Sequence, residues 1–300
     1  MTTSIAEYLR ELRHELAGTD PATIVDALTD AEDHLTTALA GALSEQPQLS
    51  EAEALAGIIA RYGTPAEIAA AYRDVEVRTR PALAVPERHD ERSVSSRFFG
   101  IVYDPRAWGA LLYMFISMIT GMVYFTWVST GIYLSIGLLI LIIGLPIAYL
   151  FLMSFRGIAL VEGRIIEGLL GVRMPRRALF SQPDLKWWTQ LKLLALDGRT
   201  WTTVVYMVIQ LPLGIIYFTI TIVLLTLSAT LVASAILRYA FDLPFLTLEH
   251  YRIYLPDNLM PVAVFLGVAL FIVLMHAARA VGGLHARLAR TLLVGGQTER

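Results

Sequence analysis

The chemically most varied stretch of this 300-residue sequence lies between two long apolar runs, at residues 228–259. Its centre reads LRYAFDLPFLTLEHYRIYLPDNLMP and combines aromatic rings with carboxylates, an imidazole and a guanidinium. This mixture suits binding of a lipid headgroup, a peptide or a small amphiphile, although a polar cap resting on a membrane, where tyrosine is common, also explains it. The candidate ligand surface comprises Tyr239, Asp242, Glu249, His250, Tyr251 and Arg252.

Residue patterns typical of catalysis are missing from the sequence. There is no HExxH pair, no GxSxG motif, no Gly-Lys-Ser/Thr phosphate loop and no pair of aspartates within the apolar runs. The chain has no cysteine, which excludes thiolate nucleophiles and thiolate metal sites. Glu249 and His250 are adjacent, but a metal site needs more ligands than two. We therefore predict a protein without catalytic residues, cofactor or metal.

One motif, Asp-x-Arg-x-Trp-x-x-x-x-Tyr-Met, occurs twice, and its two copies lie 93 residues apart. We expect the aspartate to cap a helix, the tryptophan to lie in the interfacial belt of a membrane, and the arginine to face anionic headgroups. Pairing of aspartate with arginine across the repeats, as a conformational latch, is the alternative. The motif residues are Asp104, Arg106 and Trp108 in the first copy, and Asp197, Arg199 and Trp201 in the second.

Each copy of the motif precedes a run without Asp, Glu, Lys or Arg, which is the signature of membrane helices about 20 residues long. Uncharged runs cover residues 107–155, 200–237 and 258–278. A second match, with a shift of 123 residues, aligns Arg156 with Arg279. The sequence therefore predicts two parallel hairpin repeats, with about 30 extra residues in the second. The predicted spans lie near 108–128, 132–154, 202–226 and 260–279.

Charge indicates the orientation of these hairpins. The connector between the repeats and the C-terminal tail are rich in arginine and lysine, whereas the segment at 228–259 is not. The positive-inside rule then places the connector, the tail and both termini in the cytoplasm, and the segment at 228–259 outside. Each hairpin is expected to end in an amphipathic interfacial helix. A fifth span at 226–241 is the alternative, but it would export the basic tail.

Few polar residues lie within the predicted spans. Gln210 aligns with Ser117 at the 93-residue shift, which predicts hydrogen bonds between helices at this depth. His276 is the ionisable residue inside a span, and hydrogen bonding near the membrane interface accounts for it. His285 aligns with Glu162 at the 123-residue shift. Because these two residues are unlike, we expect no chemistry common to both repeats there.

The first 76 residues differ from the rest in composition. Residues 1–74 carry 13 acidic and 4 basic residues, a balance of −9 that disfavours binding to nucleic acid. Asp20-Pro21, Ser50-x-x-Glu53 and Thr64-Pro65-Ala66-Glu67 are helix-start signals, and Gly63 is a helix-stop signal. They predict a small soluble unit of four helices.

The order YLRELRHELAG, ALTDAEDHL and ARYGTPAEIAAAY in this part resembles the HAAS-type signalling domain, and the run Gly63–Ala69 is its most specific element. That family comprises short helical modules of bacterial membrane proteins, often associated with PadR-like transcription regulators. The resemblance implies an adaptor without catalysis.

The repeated segments DPRAWGALLYM, GMVYFTWVSTGIYLSIGLLILIIGLP and RGIALVEGRIIEGLLG resemble the sensor domain of actinobacterial membrane proteins and histidine kinases, over residues 100–295. In that family the domain often precedes kinase modules. No kinase core follows it in this sequence, so we expect the output to come from the N-terminal unit or from a separate protein.

We thus predict an all-α protein, with a four-helix N-terminal domain and a polytopic domain of four spans. The predicted function is a non-catalytic sensor or signalling adaptor of the bacterial cytoplasmic membrane, which relays an envelope or lipid-state signal to a PadR-like regulator or another membrane protein. A subunit of a larger, transporter-type membrane complex is the alternative, and a homo-oligomer is left open. The predicted segments are a head at 1–76, a linker at 77–98, repeat one at 99–175, a connector at 176–196 and repeat two at 197–300 with its insert at 228–259.

Overall fold

The computed structural model describes most of the chain and is almost entirely α-helical. The described residues are 4–46, 48–78, 81–84, 98–139, 144–175, 187–241, 244, 246–248, 251–253 and 255–294. The predicted all-α fold, with a helical N-terminal domain and four apolar helices, is confirmed. Most of the predicted linker at 77–98 lies outside the described residues.

The N-terminal head contains four helices whose ends follow the predicted signals. They are α1 (Ile5–Glu15), α2 (Pro21–Glu45), α3 (Glu51–Tyr62) and α4 (Pro65–Arg78). The Asp20 carboxylate accepts a hydrogen bond from the Ala22 N–H at the start of α2. Ser50 and Glu53 form the predicted capping box, and Gly63 ends α3 with φ 118°. Each cap satisfies backbone groups that have no partner within the helix.

The head has an aliphatic core formed where these helices pack together. α1 contributes Leu12, and Leu16 directly follows it; α2 contributes Leu35, and α3 contributes Leu55, all almost fully buried. Their spacing follows the 3.6-residue period of an amphipathic helix. The Tyr8 hydroxyl in this core donates a hydrogen bond to the Gly63 carbonyl at 2.9 Å, and burial raises the pKa of Tyr8.

The remaining helices are apolar, and all but α7 are long. They are α5 (Pro105–Leu139), α6 (Gly144–Leu170), α7 (Trp187–Leu196), α8 (Gly198–Phe241) and α9 (Met260–Ala289). A 3₁₀ turn, Gly100–Tyr103, precedes α5, and a π-helical turn, Arg290–Val294, follows α9. In the described part of the chain, four helical segments are long and apolar enough to cross a membrane: Pro105–Leu138, Gly144–Leu170, Thr200–Phe241 and Asp257–Val294.

These helices extend beyond the spans expected from hydrophobicity. The stretches after Arg156 and Arg279 continue α6 and α9 without a break, so the amphipathic segments are the ends of the spanning helices. α8 likewise continues from the predicted span into the segment at 228–259 and reaches Phe241. The rest of that segment includes a two-stranded antiparallel hairpin, β1 (Leu246–Leu248) with β2 (Tyr251–Ile253), in which Thr247 pairs with Arg252.

Contacts divide the chain into two compact units. Unit 1 comprises Met1–Ala84, Gly131–Val204 and Ala289–Arg300, and unit 2 comprises Val85–Thr130 and Val205–Leu288. Unit 1 therefore holds the head, α6 and α7, whereas unit 2 holds most of α5, α8 and α9. Each unit takes helical segments from both predicted repeats.

Candidate functional site

Two glycines allow α5 and α8 to cross in backbone contact within unit 2. A Cβ on Gly121 would lie 2.8 Å from the Gln210 carbonyl oxygen, and a Cβ on Gly214 would lie 2.4 Å from the Ser117 carbonyl oxygen. Gly121 and Gly214 are equivalent at the 93-residue shift, and so are Ser117 and Gln210. The contact is therefore reciprocal, and small residues at such positions are what let membrane helices approach closely.

A buried cluster of tyrosines around one histidine lies beside this crossing. The Tyr113 hydroxyl lies 2.6 Å from His285 Nε2, and the Tyr206 hydroxyl lies 3.0 Å from the same nitrogen. The two hydroxyls are 3.4 Å apart. Tyr113 comes from α5, Tyr206 from α8 and His285 from α9, and all three side chains are almost fully buried. The cluster thus joins three helices of unit 2 through polar groups.

Two further side chains extend the cluster. Gln210 Nε2 donates to the Tyr113 hydroxyl at 3.1 Å and to Thr120 Oγ1 at 3.4 Å. The Tyr217 hydroxyl lies 3.4 Å from His285 Nδ1. The predicted interhelical hydrogen bonding by Gln210 is therefore confirmed, whereas the Ser117 hydroxyl bonds to the Met114 carbonyl of its own helix. Gln210 Oε1 is buried and has no hydrogen-bond partner among the described residues.

The chemistry of this cluster is that of a hydrogen-bond network in an apolar bundle. The loss of a hydrogen-bond partner by any of these polar groups costs free energy, because the groups are buried away from bulk water. The described residues contain no group of three or more His, Asp or Glu side chains that could hold a metal ion. The network is suited to fixing how α5, α8 and α9 pack, and to changing that packing if one member is displaced.

The two motif aspartates each form an ion pair with an arginine from the other repeat. Asp104 lies 2.9 Å from Arg279 within unit 2, and Asp197 lies 3.9 Å from Arg156 within unit 1. Asp104 is equivalent to Asp197, and Arg156 to Arg279. The pairing is therefore exchanged between the repeats, through arginines that lie outside the motif, and the latch alternative for the motif residues stays a prediction. Asp104 also accepts a hydrogen bond from the Arg106 N–H at 3.1 Å, which is the expected helix cap.

The two motif tryptophans make the same contact in both copies. Trp108 Nε1 donates to the Val102 carbonyl at 2.7 Å, and Trp201 Nε1 donates to the Ala195 carbonyl at 2.8 Å. Val102 and Ala195 are equivalent at the 93-residue shift. Both indole rings remain half-exposed, and their interfacial position stays a prediction. Arg199 lies in the first turn of α8.

The structure describes three of the six residues of the candidate ligand surface. Tyr239 lies on α8 with 69% of its surface exposed. Tyr251 and Arg252 lie on β2. The predicted positions Asp242, Glu249 and His250 lie outside the described residues. The ligand surface at 228–259 therefore stays a prediction.

The buried cluster was not predicted from the sequence as a site. Comparison of the repeats aligned Tyr113 with Tyr206, and repeated tyrosines next to a small-residue crossing were the available signal. The alignment of the repeats relates His285 to Glu162, and it does not indicate the tyrosines that His285 contacts. His276, in contrast, forms a hydrogen bond as predicted, since its Nε2 lies 3.2 Å from the Phe98 carbonyl oxygen.

Comparison with known proteins agrees with this architecture. The HAAS family matches residues 7–71, which cover nearly all of the head. The Sensor family, described as "Putative sensor", matches residues 113–293, more than half of the chain, and this range includes every residue of the buried cluster. No curated protein and no solved structure matches the sequence. Both families are signalling-type domains, and the four apolar helices indicate a membrane location. The chain therefore belongs to the Sensor family and carries an N-terminal HAAS domain.

Proposed function

We propose that this protein is a non-catalytic signalling adaptor of the bacterial cytoplasmic membrane. A change in the bilayer, or in a ligand at the outer segment, alters the packing of α5, α8 and α9. The head, on the cytoplasmic side with both termini, passes this change to a regulator of the PadR-like class. The buried cluster is the element in the membrane whose packing changes.

An ion pair between the head and the end of the last membrane helix is the observation that carries this proposal. Arg290 Nη2 donates to Asp20 Oδ2 at 3.0 Å within unit 1. Arg290 directly follows α9, and Asp20 is the residue that caps α2. A rotation or shift at the end of α9 would therefore pull directly on the start of the longest helix of the head.

A second contact joins the head to the membrane helices within unit 1. Gly171 follows α6 and has φ +69°, a conformation that residues with a side chain rarely adopt. A Cβ at this position would lie 2.2 Å from the Leu83 carbonyl oxygen. Leu83 lies just beyond α4, so the chain that leaves the head passes directly against the end of a membrane helix. The head is thus attached at two points, near the ends of α6 and α9.

The position of the buried cluster supports transmission along α9. His285, which contacts Tyr113 and Tyr206, lies only five residues before Arg290 in the chain. We infer that a displacement of His285 is passed along this short stretch of chain to Arg290, because consecutive turns of a helix are hydrogen-bonded to one another.

The head has properties that suit a protein partner. Its balance of −9 over residues 1–74 disfavours direct binding to nucleic acid, so control of transcription would require a separate DNA-binding protein. HAAS domains associate with partner regulators, which makes a regulator of this type the natural partner.

A comparison of the full chain, a chain lacking residues 1–76, and the variants Asp20→Asn and Arg10→Ala tests this function. Asparagine caps a helix as well as aspartate does, so Asp20→Asn removes the ion pair and keeps the cap. Arg10→Ala is a matched control, because Arg10 is on the same domain and its pair with Glu7, at 3.9 Å, is exposed. The measurement combines cross-linking in cells, identification of captured proteins and transcript levels.

We expect the deletion to abolish capture of a transcription regulator and to change the expression of its target genes. Asp20→Asn should change capture in the same experiment, and Arg10→Ala should not. Unchanged capture and expression after deletion of 1–76 would contradict the proposal. Stoichiometric co-purification of a permease, unaffected by the deletion, would instead favour the alternative of a subunit in a transporter-type complex.

A further inference from the structure

The short helix α7 presents a mixed aromatic, aliphatic and basic surface. Its exposed residues lie within an arc of about 140°, because successive residues of a helix are rotated by about 100°. Trp188, Leu193 and Leu196 are 48%, 53% and 71% exposed. The exposed residues on this arc are Trp188, Thr189, Lys192, Leu193 and Leu196.

The other side of α7 is fixed within unit 1. Leu194 is almost fully buried. The Tyr149 hydroxyl of α6 donates to Gln190 Oε1 at 2.6 Å, and Trp201 Nε1 of α8 donates to the Ala195 carbonyl at 2.8 Å. Contacts from both neighbouring helices therefore set the rotation of α7, so its exposed arc is a defined surface.

This surface leads into a helix that is apolar enough to cross a membrane. Only Asp197 separates α7 from α8, whose sequence from Thr200 onward is apolar enough to span the bilayer. An exposed apolar side chain also lies in the first turn of α8, at Trp201. The arc of α7 therefore lies where a spanning helix begins, which is the interfacial depth at which tryptophan and lysine are favoured.

The other repeat shows which part of this surface is specific to α7. Tyr103, the equivalent of Leu196, is 88% exposed and follows Val102, which accepts the Trp108 hydrogen bond. In each repeat, therefore, an exposed apolar or aromatic residue directly follows the residue whose carbonyl accepts the hydrogen bond of the motif tryptophan. Lys192, however, is equivalent to Phe99, so the first repeat has an aromatic ring where α7 has a positive charge.

We propose that α7 is an in-plane anchor that binds anionic phospholipid headgroups. Lys192 binds the headgroup phosphate, while Trp188, Leu193 and Leu196 lie at the boundary with the acyl chains. The partner is a lipid rather than a protein because the arc leads into a helix that is apolar enough to cross a membrane and carries a positive charge. This inference does not depend on the proposed regulator, since it concerns a surface of unit 1 outside the head.

The sequence permits a direct test, because it contains no cysteine and any introduced cysteine is the unique labelling site. Spin labels are attached at Leu196→Cys, at Phe99→Cys and at Thr36→Cys, an exposed position on the head. The full-length protein is reconstituted in nanodiscs of phosphatidylcholine, with or without one part in about three of phosphatidylglycerol as the anionic probe. Accessibility to oxygen and to a water-soluble nickel chelate reports how deeply each label is immersed.

We expect the label at Leu196 to be immersed, and the label at Thr36 to be open to water. Anionic lipid should raise the ratio of immersed to water-exposed label at Leu196 by about fivefold, the contribution of one lysine near an anionic surface. Phe99 should be immersed equally in both lipids. Lys192→Glu should remove the response at Leu196, and Arg10→Glu, a charge reversal on the head, should not.

Three results would overturn the proposal. The label at Leu196 could be as accessible to the nickel chelate as the label at Thr36. Its immersion could be the same in neutral and anionic nanodiscs. Finally, the response could survive in Lys192→Glu while the protein remains monodisperse. Because no regulator is present in the nanodisc, none of these results bears on the adaptor function of the head.

Discussion

The two repeats of the membrane domain have kept the same local geometry around the Asp-x-Arg-x-Trp motif. In both copies the tryptophan indole donates to the carbonyl six residues earlier, at 2.7 and 2.8 Å. In both copies the aspartate forms an ion pair with an arginine from the other repeat. The indole hydrogen bond is made to a backbone carbonyl, so it tolerates divergence of the other side chains in the repeat.

The same repeats differ in the side chains that surround this geometry. His285 joins the tyrosine cluster of unit 2, whereas its equivalent Glu162 is buried in unit 1. Lys192 on α7 replaces the aromatic Phe99 of the first repeat. The ion pair is closer for Asp104 than for Asp197. The comparison indicates that duplication preserved how each hairpin begins, while its chemistry became specialised.

The glycine contact offers the strongest test of equivalence between the repeats. Gly214→Ala should destabilise the protein by about 1–3 kcal/mol, because its Cβ would meet backbone atoms that cannot move aside. Gly121→Ala should cost somewhat less, since its nearest contact is 2.8 Å rather than 2.4 Å. Thermal unfolding in detergent measures both changes. Gly137→Ala is the control, because no atom lies within 4 Å of its Cβ; equal effects at all three positions would disprove the crossing.

The tyrosine pair tests where the two repeats have diverged. Tyr113→Phe removes hydrogen bonds to His285 and Gln210, whereas Tyr206→Phe removes the longer bond to His285, and either substitution removes the contact between the two hydroxyls. Each bond between membrane helices contributes about 0.6 kcal/mol on average, so Tyr113→Phe should cost about 0.6 kcal/mol more. Tyr133→Phe, at an exposed position, is the control. Unfolding in detergent would contradict this ranking if Tyr206→Phe were the more damaging substitution.

The ion pairs should distinguish the two copies of the motif by a smaller margin. Asp104→Asn keeps the helix cap but removes the charge that faces Arg279 at 2.9 Å, and we expect a loss of up to about 1 kcal/mol. Asp197→Asn should have a smaller effect, because its partner is 3.9 Å away. A double-mutant cycle with Arg279→Gln isolates the interaction. A coupling energy of zero for Asp104 and Arg279 would show that the exchanged pairing has no energetic role.

The tryptophans should give the smallest effects and the closest agreement between the copies. Trp108→Phe and Trp201→Phe each remove one indole hydrogen bond and keep an aromatic ring, at a cost of about 0.5 kcal/mol. The two losses should agree within the error of thermal unfolding. A clear difference between them would show that the contact is not equivalent in the two repeats.

Features that depend on local sequence could be predicted, whereas the buried cluster could not. The caps at Asp20, Ser50 and Gly63 follow from hydrogen bonds within a few residues, and the spans follow from runs without charge. The cluster depends on which faces of three helices meet, and no residue near His285 in the sequence indicates Tyr113. α6 and α9 are longer than the predicted spans because backbone hydrogen bonding continues past the first charges, Arg156 and Arg279, where the apolar run ends.

Asp20 uses its two carboxylate oxygens for different partners, and this separation has a thermodynamic consequence. Oδ1 caps α2 through the Ala22 N–H, and Oδ2 accepts from Arg290. The head can therefore release the C-terminal segment while the first turn of α2 stays folded. Partly exposed ion pairs contribute about 1 kcal/mol or less, so bound and released forms would differ little in free energy. Small energies from the bilayer would then shift the ratio of these forms gradually, and the output would be graded instead of all-or-none.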